Sequence, residues 1–439
     1  MSKFEIRQAW VASTSEALEF RHTTAQLDIL VNGTCLTRNE NIWSQSIQDG
    51  VTVPTYPLAL WFLNSWWRLL YEPLPAQGIP AIDWRMAHEI GAANHGIVWP
   101  KVVFASDGQS IQIWASQFDA GQFQSVRYLN GLPQCESISI ADFKNAVFDF
   151  ISTVDSKLRA VGIIDSPISD LIKIIQEEQS DENQSKYRRL EAIMGFDPDE
   201  CPLDAMIYAS ELESKVGLST LGELAPLYGK RATTEPLREI EQFISSGGVV
   251  GQPTFNRVGR HVLPTCHRPA WQSAVNDART IRSQIGNERG PIDTTRLYEL
   301  LGIASKDIEK WAPHTRRSVS VGIPISSGKI KFVPRKSHPI SKRFELSRYI
   351  GDINYVNRGN WYATTELSTH RQKYQRAFAA EFLCPISGLT EYLNNDFSDE
   401  AIDEASEYFD VSQQTINSLL ANNHITEKPI IHDELPYRI

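Results

Sequence analysis

Apolar and polar positions alternate over residues 3–12 and again over 26–31, the period of half-buried strands. Asn32-Gly33, a pair suited to the left-handed turn of a tight hairpin, leads into a third strand at 34–38. The run 58–71 is almost wholly apolar and includes Trp66-Trp67, which predicts one buried helix. Asp83-Trp84 opens another, with Asp83 as its cap. Strands follow at 102–105 and 110–115, around the turn Ser106-Asp107-Gly108. The period then lengthens to that of helices, at 140–161, 169–178, 202–216, 218–228 and 235–244, with a polar, mobile stretch at 179–185. Ser245 to Pro253 is rich in glycine and serine and reads as linker. Beyond it come helices at 269–285 and up to Leu301, a hairpin of 319–325 and 329–333, and two helices over 341–355 and 370–385. Asp410 to Leu420 gives a helix-turn-helix-like close. The class is α+β: an aromatic-rich α+β domain at 1–130, a helical region at 138–244, a linker at 245–268, a mostly helical domain with a small hairpin at 269–425, and a tail at 426–439.

Composition narrows this reading. The chain of 439 residues is long enough for two to four cores. Eight of its eleven tryptophans lie between Trp10 and Trp114, as core of the first domain or as a stacking surface. The amino terminus is polar and interrupted, unlike a signal peptide. The most apolar run, 56–71, is short for a membrane span and carries Arg68. Five scattered cysteines point to reduced thiols and a cytoplasmic setting, away from membranes. Two candidate metal motifs are weak, one on spacing and one for want of ligands. His88-Glu89 has its next histidine at His95, two helical turns or about 10.5 Å away, too far to share an ion. His261, Cys266 and His267 lack a second ligand cluster.

Charge is segregated. Residues 161–250 carry 17 acidic and 8 basic side chains, within a chain of net charge −10. A helix-turn-helix could open at Leu218, but these acidic surroundings favour a structural helix there. Residues 329–376 carry 11 basic and 3 acidic side chains. Arg335, Lys336, Lys342, Arg343, Arg371, Lys373 and Arg376 are therefore candidate anion-binding residues, with Tyr349, Tyr355, Trp361, Tyr362 and Tyr374 interleaved. Such a segment suits nucleic acid, a nucleotide or an acidic protein, or the chain's own acidic region docked upon it.

Within that segment a frame stands out: Arg343, Phe344, Leu346 and Gly351 on one predicted helix, and Phe378, Ala379, Ala380, Leu383 and Pro385 on the next. It resembles the active-site core of the ImmA/IrrE-type zinc metallopeptidases, and the likeness extends from Pro269 to His424. In that family two histidines at i and i+4 hold zinc and a glutamate between them serves as base. Here the resemblance places Arg348 and Asp352 at the two ligand positions, Tyr349 at the base and Tyr374 at the third ligand. Arginine has no lone pair to offer, and a guanidinium about 4 Å from a dication is repelled by roughly 8 kcal/mol at an effective dielectric near 20. The expectation is thus no metal and no cofactor, with Arg348 and Asp352 paired along one helix face.

Three functions follow from the resemblance and the charge. The first is a non-catalytic binding or regulatory protein from a mobile-element, toxin–antitoxin or phage-defence setting. It would grip a protein partner, a helix-turn-helix regulator or an effector subunit, through the former cleft. The second is nucleic-acid or nucleotide binding through residues 329–376. The third is a metallopeptidase with a site rebuilt from Asp352, Glu366, His370 and Glu381. The amino-terminal part resembles only an extension found before some such domains, which implies no activity.

Overall fold

A computed structural model describes residues 3–76, 78–117, 124–228, 235–258, 269–313, 318–325, 328–356 and 359–426. His261, Cys266, His267, Arg358 and the tail from 427 onward lie outside the described residues. The fold is α+β, helices with several small antiparallel sheets. The chain divides into two compact units, Met1–Met206 and Ile207–Ile431, each with its own core. Among the described residues no helix is long and apolar enough to cross a membrane.

In the first unit, strand Thr24–Val31 is central and pairs with Phe4–Trp10, Thr34–Cys35 and Val51–Pro54. Its alternate residues Ala25, Leu27, Ile29 and Val31 are fully buried, the outcome of a period-2 pattern with one face inward. Asn32 and Gly33 both have positive φ, 49° and 85°, as a type I′ turn requires. A second sheet runs in the order Glu136–Ser139, Ser110–Ser116, Lys101–Ser106. The apolar run 58–71 forms two helices, Tyr56–Asn64 and Trp66–Tyr71, meeting at Ser65. Asp83 does not cap its helix; it sits in the first turn and accepts from Arg68 Nη2 at 3.1 Å. The tryptophans Trp61, Trp66, Trp67, Trp84 and Trp99 are buried, so most of the indole content is core. His88 is fully buried, with Nδ1 on the Phe104 carbonyl at 2.8 Å and Nε2 on Glu72 at 2.9 Å. The stretch 179–185, expected to be mobile, is helical: Asp181 caps helix Glu182–Ile193 by accepting from the amides of Asn183 and Gln184.

In the second unit the sheet order is Val249–Gly251, Ile330–Val333, Ser320–Pro324, Tyr362–Thr364. Its first strand lies within the stretch expected to be linker. The glycines there serve close packing: a Cβ on Gly248 would sit 2.7 Å from the Phe332 carbonyl, and one on Gly251 would sit 2.4 Å from the Leu301 carbonyl. Lys331 Nζ donates to the carbonyls of Phe243, Ile244 and Ser246, which closes the end of helix Glu235–Ser245. Helices Pro339–Tyr355 and His370–Leu383 pack side by side against this sheet. Gly351 permits their approach, since a Cβ there would meet the Phe378 ring at 2.9 Å.

Candidate functional site

Helix Pro339–Tyr355 is central to its unit, and every residue from Glu345 to Asn354 on it is buried. A helix in that position must satisfy its polar side chains internally. Asp352, fully buried, accepts from Arg371 Nε at 2.7 Å and Nη2 at 2.6 Å, and from the Ala363 amide at 2.8 Å. This bidentate pair replaces the expected pairing of Arg348 with Asp352. The neighbouring helix presents Arg371 fork-on to the carboxylate, a better geometry than a pair one turn apart on the same helix. Burial alone would lower the Arg371 pKa, but Asp352 outweighs it and holds the guanidinium above its ordinary value.

Arg348 turns instead to the Thr365 carbonyl at 2.6 Å and Gln372 Oε1 at 2.5 Å. Burial, reinforced by the nearby Arg376, pulls its pKa down to about 10. Arg348 Nε, Thr364 Oγ1 and Gln375 Oε1 find no hydrogen-bond partner among the described residues, and groups of this kind commonly take ordered water. Tyr349 donates to the Val321 carbonyl at 3.1 Å, and burial pushes its phenol well above the usual range. Tyr374 donates to Asp277 Oδ2 at 2.5 Å and accepts from Asn354 at 2.9 Å. Arg348, Tyr349, Asp352 and Tyr374 are all buried and hydrogen-bonded within the core.

A segment of the chain's own acidic region covers this core. Thr220 Oγ1 donates to the Trp361 carbonyl at 2.6 Å, and the Trp361 amide donates to the Val216 carbonyl at 3.2 Å. Arg371 reaches the Ser219 carbonyl at 3.3 Å. Glu223, on helix Leu218–Tyr228, accepts from Thr369 Oγ1 at 2.8 and 2.9 Å. Burial raises the Glu223 pKa against the opposing pull of Arg371. Glu223 and Thr220 lie about 150 positions from their partners, and no local pattern marks them in the sequence.

Among its described residues the basic segment does not form an exposed face. Arg343 is buried, donating to the Ile292 carbonyl at 2.7 Å and Thr294 Oγ1 at 2.6 Å, with Asp410 at 2.9 Å. Arg335 is committed to Glu366 and to the Ser318 carbonyl. Burial acts to raise the Glu366 pKa, yet Arg348 and Arg335 hold the carboxyl below its ordinary range. Lys342 points Nζ at the Ile308 carbonyl at 3.4 Å, and Arg376 donates to that of Leu367 at 3.0 Å. Lys336, Lys373 and Arg376 are half-buried. Of the candidate anion-binding residues, Arg343 and Arg371 have guanidiniums that are enclosed and bonded to internal acceptors.

The residues considered for a rebuilt metal site are also held apart by their partners. Asp352 is on Arg371, Glu366 on Arg335, His370 Nδ1 on the Tyr355 hydroxyl at 3.1 Å, and Glu381 on Arg279 at 2.8 Å. No group of three or more histidine, cysteine or carboxylate side chains among the described residues is arranged to hold a metal ion. The chemistry on offer is that of a buried clamp joining two helices, a sheet edge and a covering segment. No protein-family model, curated protein or solved structure matches the chain.

Proposed function

We propose that this chain is a non-catalytic, metallopeptidase-like binding protein that acts by gripping a protein partner, in a regulatory setting such as a mobile element, a toxin–antitoxin pair or phage defence. One observation carries the reading: the Asp352–Arg371 pair stands where the resemblance aligns a zinc ligand, and both side chains are saturated. A guanidinium locked to that carboxylate opposes a dication electrostatically and removes its ligand. The covering segment around Thr220 supports the binding half of the reading, since it hydrogen-bonds at Trp361, beside the outermost strand Tyr362–Thr364, as a docked peptide would. The nucleic-acid alternative draws no support from residues whose guanidiniums are enclosed.

The test is elemental analysis of purified full-length protein, with a peptide-cleavage assay run with and without chelator. The expected result is zinc far below one ion per chain and no chelator-sensitive cleavage. One zinc per chain, with cleavage abolished by chelator and by Asp352→Ala, overturns the proposal in favour of the rebuilt site.

A further inference from the structure

In the first unit, strand Phe4–Trp10 is the end of its sheet: among the described residues it pairs with Thr24–Val31 on one side and with no strand on the other. Natural edges are usually kept short, kinked by a bulge or interrupted by proline, because unpaired main chain recruits other strands. This one has none of those protections. All 7 of its residues pair in unbroken register, and none is proline. The Asn32 amide donates to the Lys3 carbonyl at 2.8 Å, and the Val11 amide to the Thr24 carbonyl at 2.9 Å. The odd-numbered residues therefore turn their main chain toward Thr24–Val31. The amides and carbonyls of Phe4, Ile6, Gln8 and Trp10 face the open edge, and among the described residues no hydrogen bond reaches them there.

Helix Ile140–Ala160 runs along one face of the strand, with Phe143 stacked on Phe4 at 5.5 Å and Lys157 5.6 Å from the Trp10 ring. A groove of about 470 Å³ opens between residues 3–7 and Asp142, Asn145, Ala146 and Asp149 of that helix, which leaves space for an added strand. Lys3 and Arg7, both exposed, each reach Glu5 at 2.6 Å. Charges on an edge normally ward off pairing. Their order here makes the strand complementary to itself. In an antiparallel pairing about a two-fold axis, outward-facing residues must oppose outward-facing residues, so the axis passes through one residue of the strand. An axis at Glu5 or at Arg7 sets that charge against its own copy. An axis at Phe4 leaves Gln8 and Trp10 unpaired, and one at Gln8 sets Glu5 and Arg7 against apolar residues. An axis at Ile6 sets Glu5 against Arg7 twice, in the non-hydrogen-bonded positions where side chains lie closest. Ile6 then pairs with Ile6, and Phe4 with Gln8, through the main chain.

We infer that this chain self-associates through strand Phe4–Trp10 as a two-fold dimer, the two sheets joined antiparallel about Ile6, with Glu5 of each copy against Arg7 of the other. The surface is independent of the metallopeptidase-like core. One strand against one strand is a small interface beside the roughly 1,200–2,000 Å² of stable complexes, so the dimer is concentration-dependent.

The test is sedimentation velocity of the full chain from micromolar to several hundred micromolar concentration. The expected result is a reversible shift from monomer to dimer. Arg7→Glu and Glu5→Arg should each raise the dimer dissociation constant at least tenfold, and the two combined should return it to within threefold of the unaltered protein, because the exchanged charges again oppose each other. Gln8→Pro removes a donor from the open edge and leaves the ladder to Thr24–Val31 intact. It should abolish the dimer, with the thermal unfolding midpoint recorded to establish that the variant is folded. A monomer at every concentration overturns the proposal, as does a dimer that folded Gln8→Pro leaves unchanged. Loss in the single charge variants without recovery in the double overturns the axis at Ile6. If Gln8→Pro fails to fold, the exposed charges decide alone: a dissociation constant unmoved by Arg7→Glu overturns the surface.

Discussion

At the scale of single residues, the second unit depends on a charge pair that neither water nor salt can screen. Removing one member of a buried pair strands the other, at about 3–5 kcal/mol. Asp352→Ala should therefore lower the unfolding free energy by about that much in urea titrations. Replacing both partners by apolar side chains, Asp352→Leu with Arg371→Met, should recover most of the loss. A loss below about 1 kcal/mol for Asp352→Ala, against that range, would show the pair to be incidental. Glu223 makes a pH prediction. Its folded pKa is raised above the ordinary 4.5, so the folded state holds its proton more tightly than the unfolded one. Its contribution to stability is then fully present below about 4.5 and is lost as pH rises toward the raised value. Glu223→Gln, which keeps an acceptor for Thr369, should remove that decline; identical pH–stability curves for both proteins would refute it. The sequence made Arg348, Tyr349, Asp352 and Tyr374 legible as positions of interest, because their departure from a known spacing is a local fact. Their partners were not legible. Arg371, Gln372 and Asp277 reach them through the packing of separate elements, which spacing along one helix does not encode.

At the scale of elements, periodicity was informative where one face is buried and uninformative where all faces are. The central strand Thr24–Val31 and its hairpin turn follow directly from alternation and from Asn32-Gly33. Helix Pro339–Tyr355, buried on nearly every side, carries almost no amphipathic signature and was readable only through the frame of Arg343, Phe344, Leu346 and Gly351. The stretch 245–253 misled because glycine reports flexibility and close packing with the same letter; here a strand needs it for contact with neighbouring backbone. Gly351 separates the two meanings by experiment. In an isolated helix Gly→Ala stabilises by roughly 1 kcal/mol. Against the Phe378 ring at 2.9 Å the same methyl should instead destabilise by about 1–3 kcal/mol, read from the denaturation midpoint. Gly217 begins the covering helix with φ +85°, and a Cβ there would lie 2.2 Å from Asn360 Oδ1. Gly217→Ala should loosen that helix alone. Hydrogen exchange should quicken at the amides of Thr220 to Leu224 while helix Pro339–Tyr355 stays protected; uniform exchange across both would place the covering segment within the core's cooperative unit.

At the scale of the whole molecule, the apolar residues sort into two large cores. One draws on residues from Phe4 to Ala192, the other on residues from Val249 to Leu420, and they share no member. Each belongs to a unit of roughly two hundred residues, a size at which a single chain segment buries enough surface to unfold as a cooperative body. A lesion in one core then has a definite signature. Asp352→Ala removes stability from the second unit only, and a loss of about 3–5 kcal/mol in a domain of that size moves its midpoint by on the order of 10 °C. Scanning calorimetry of the variant should show one transition displaced downward and the other where the unaltered protein has it. Phe62→Ala, in the first core, should displace the complementary transition. A single transition that moves as one body under both substitutions would show that the chain folds as one cooperative whole, and the two cores would then have to be read as parts of one machine.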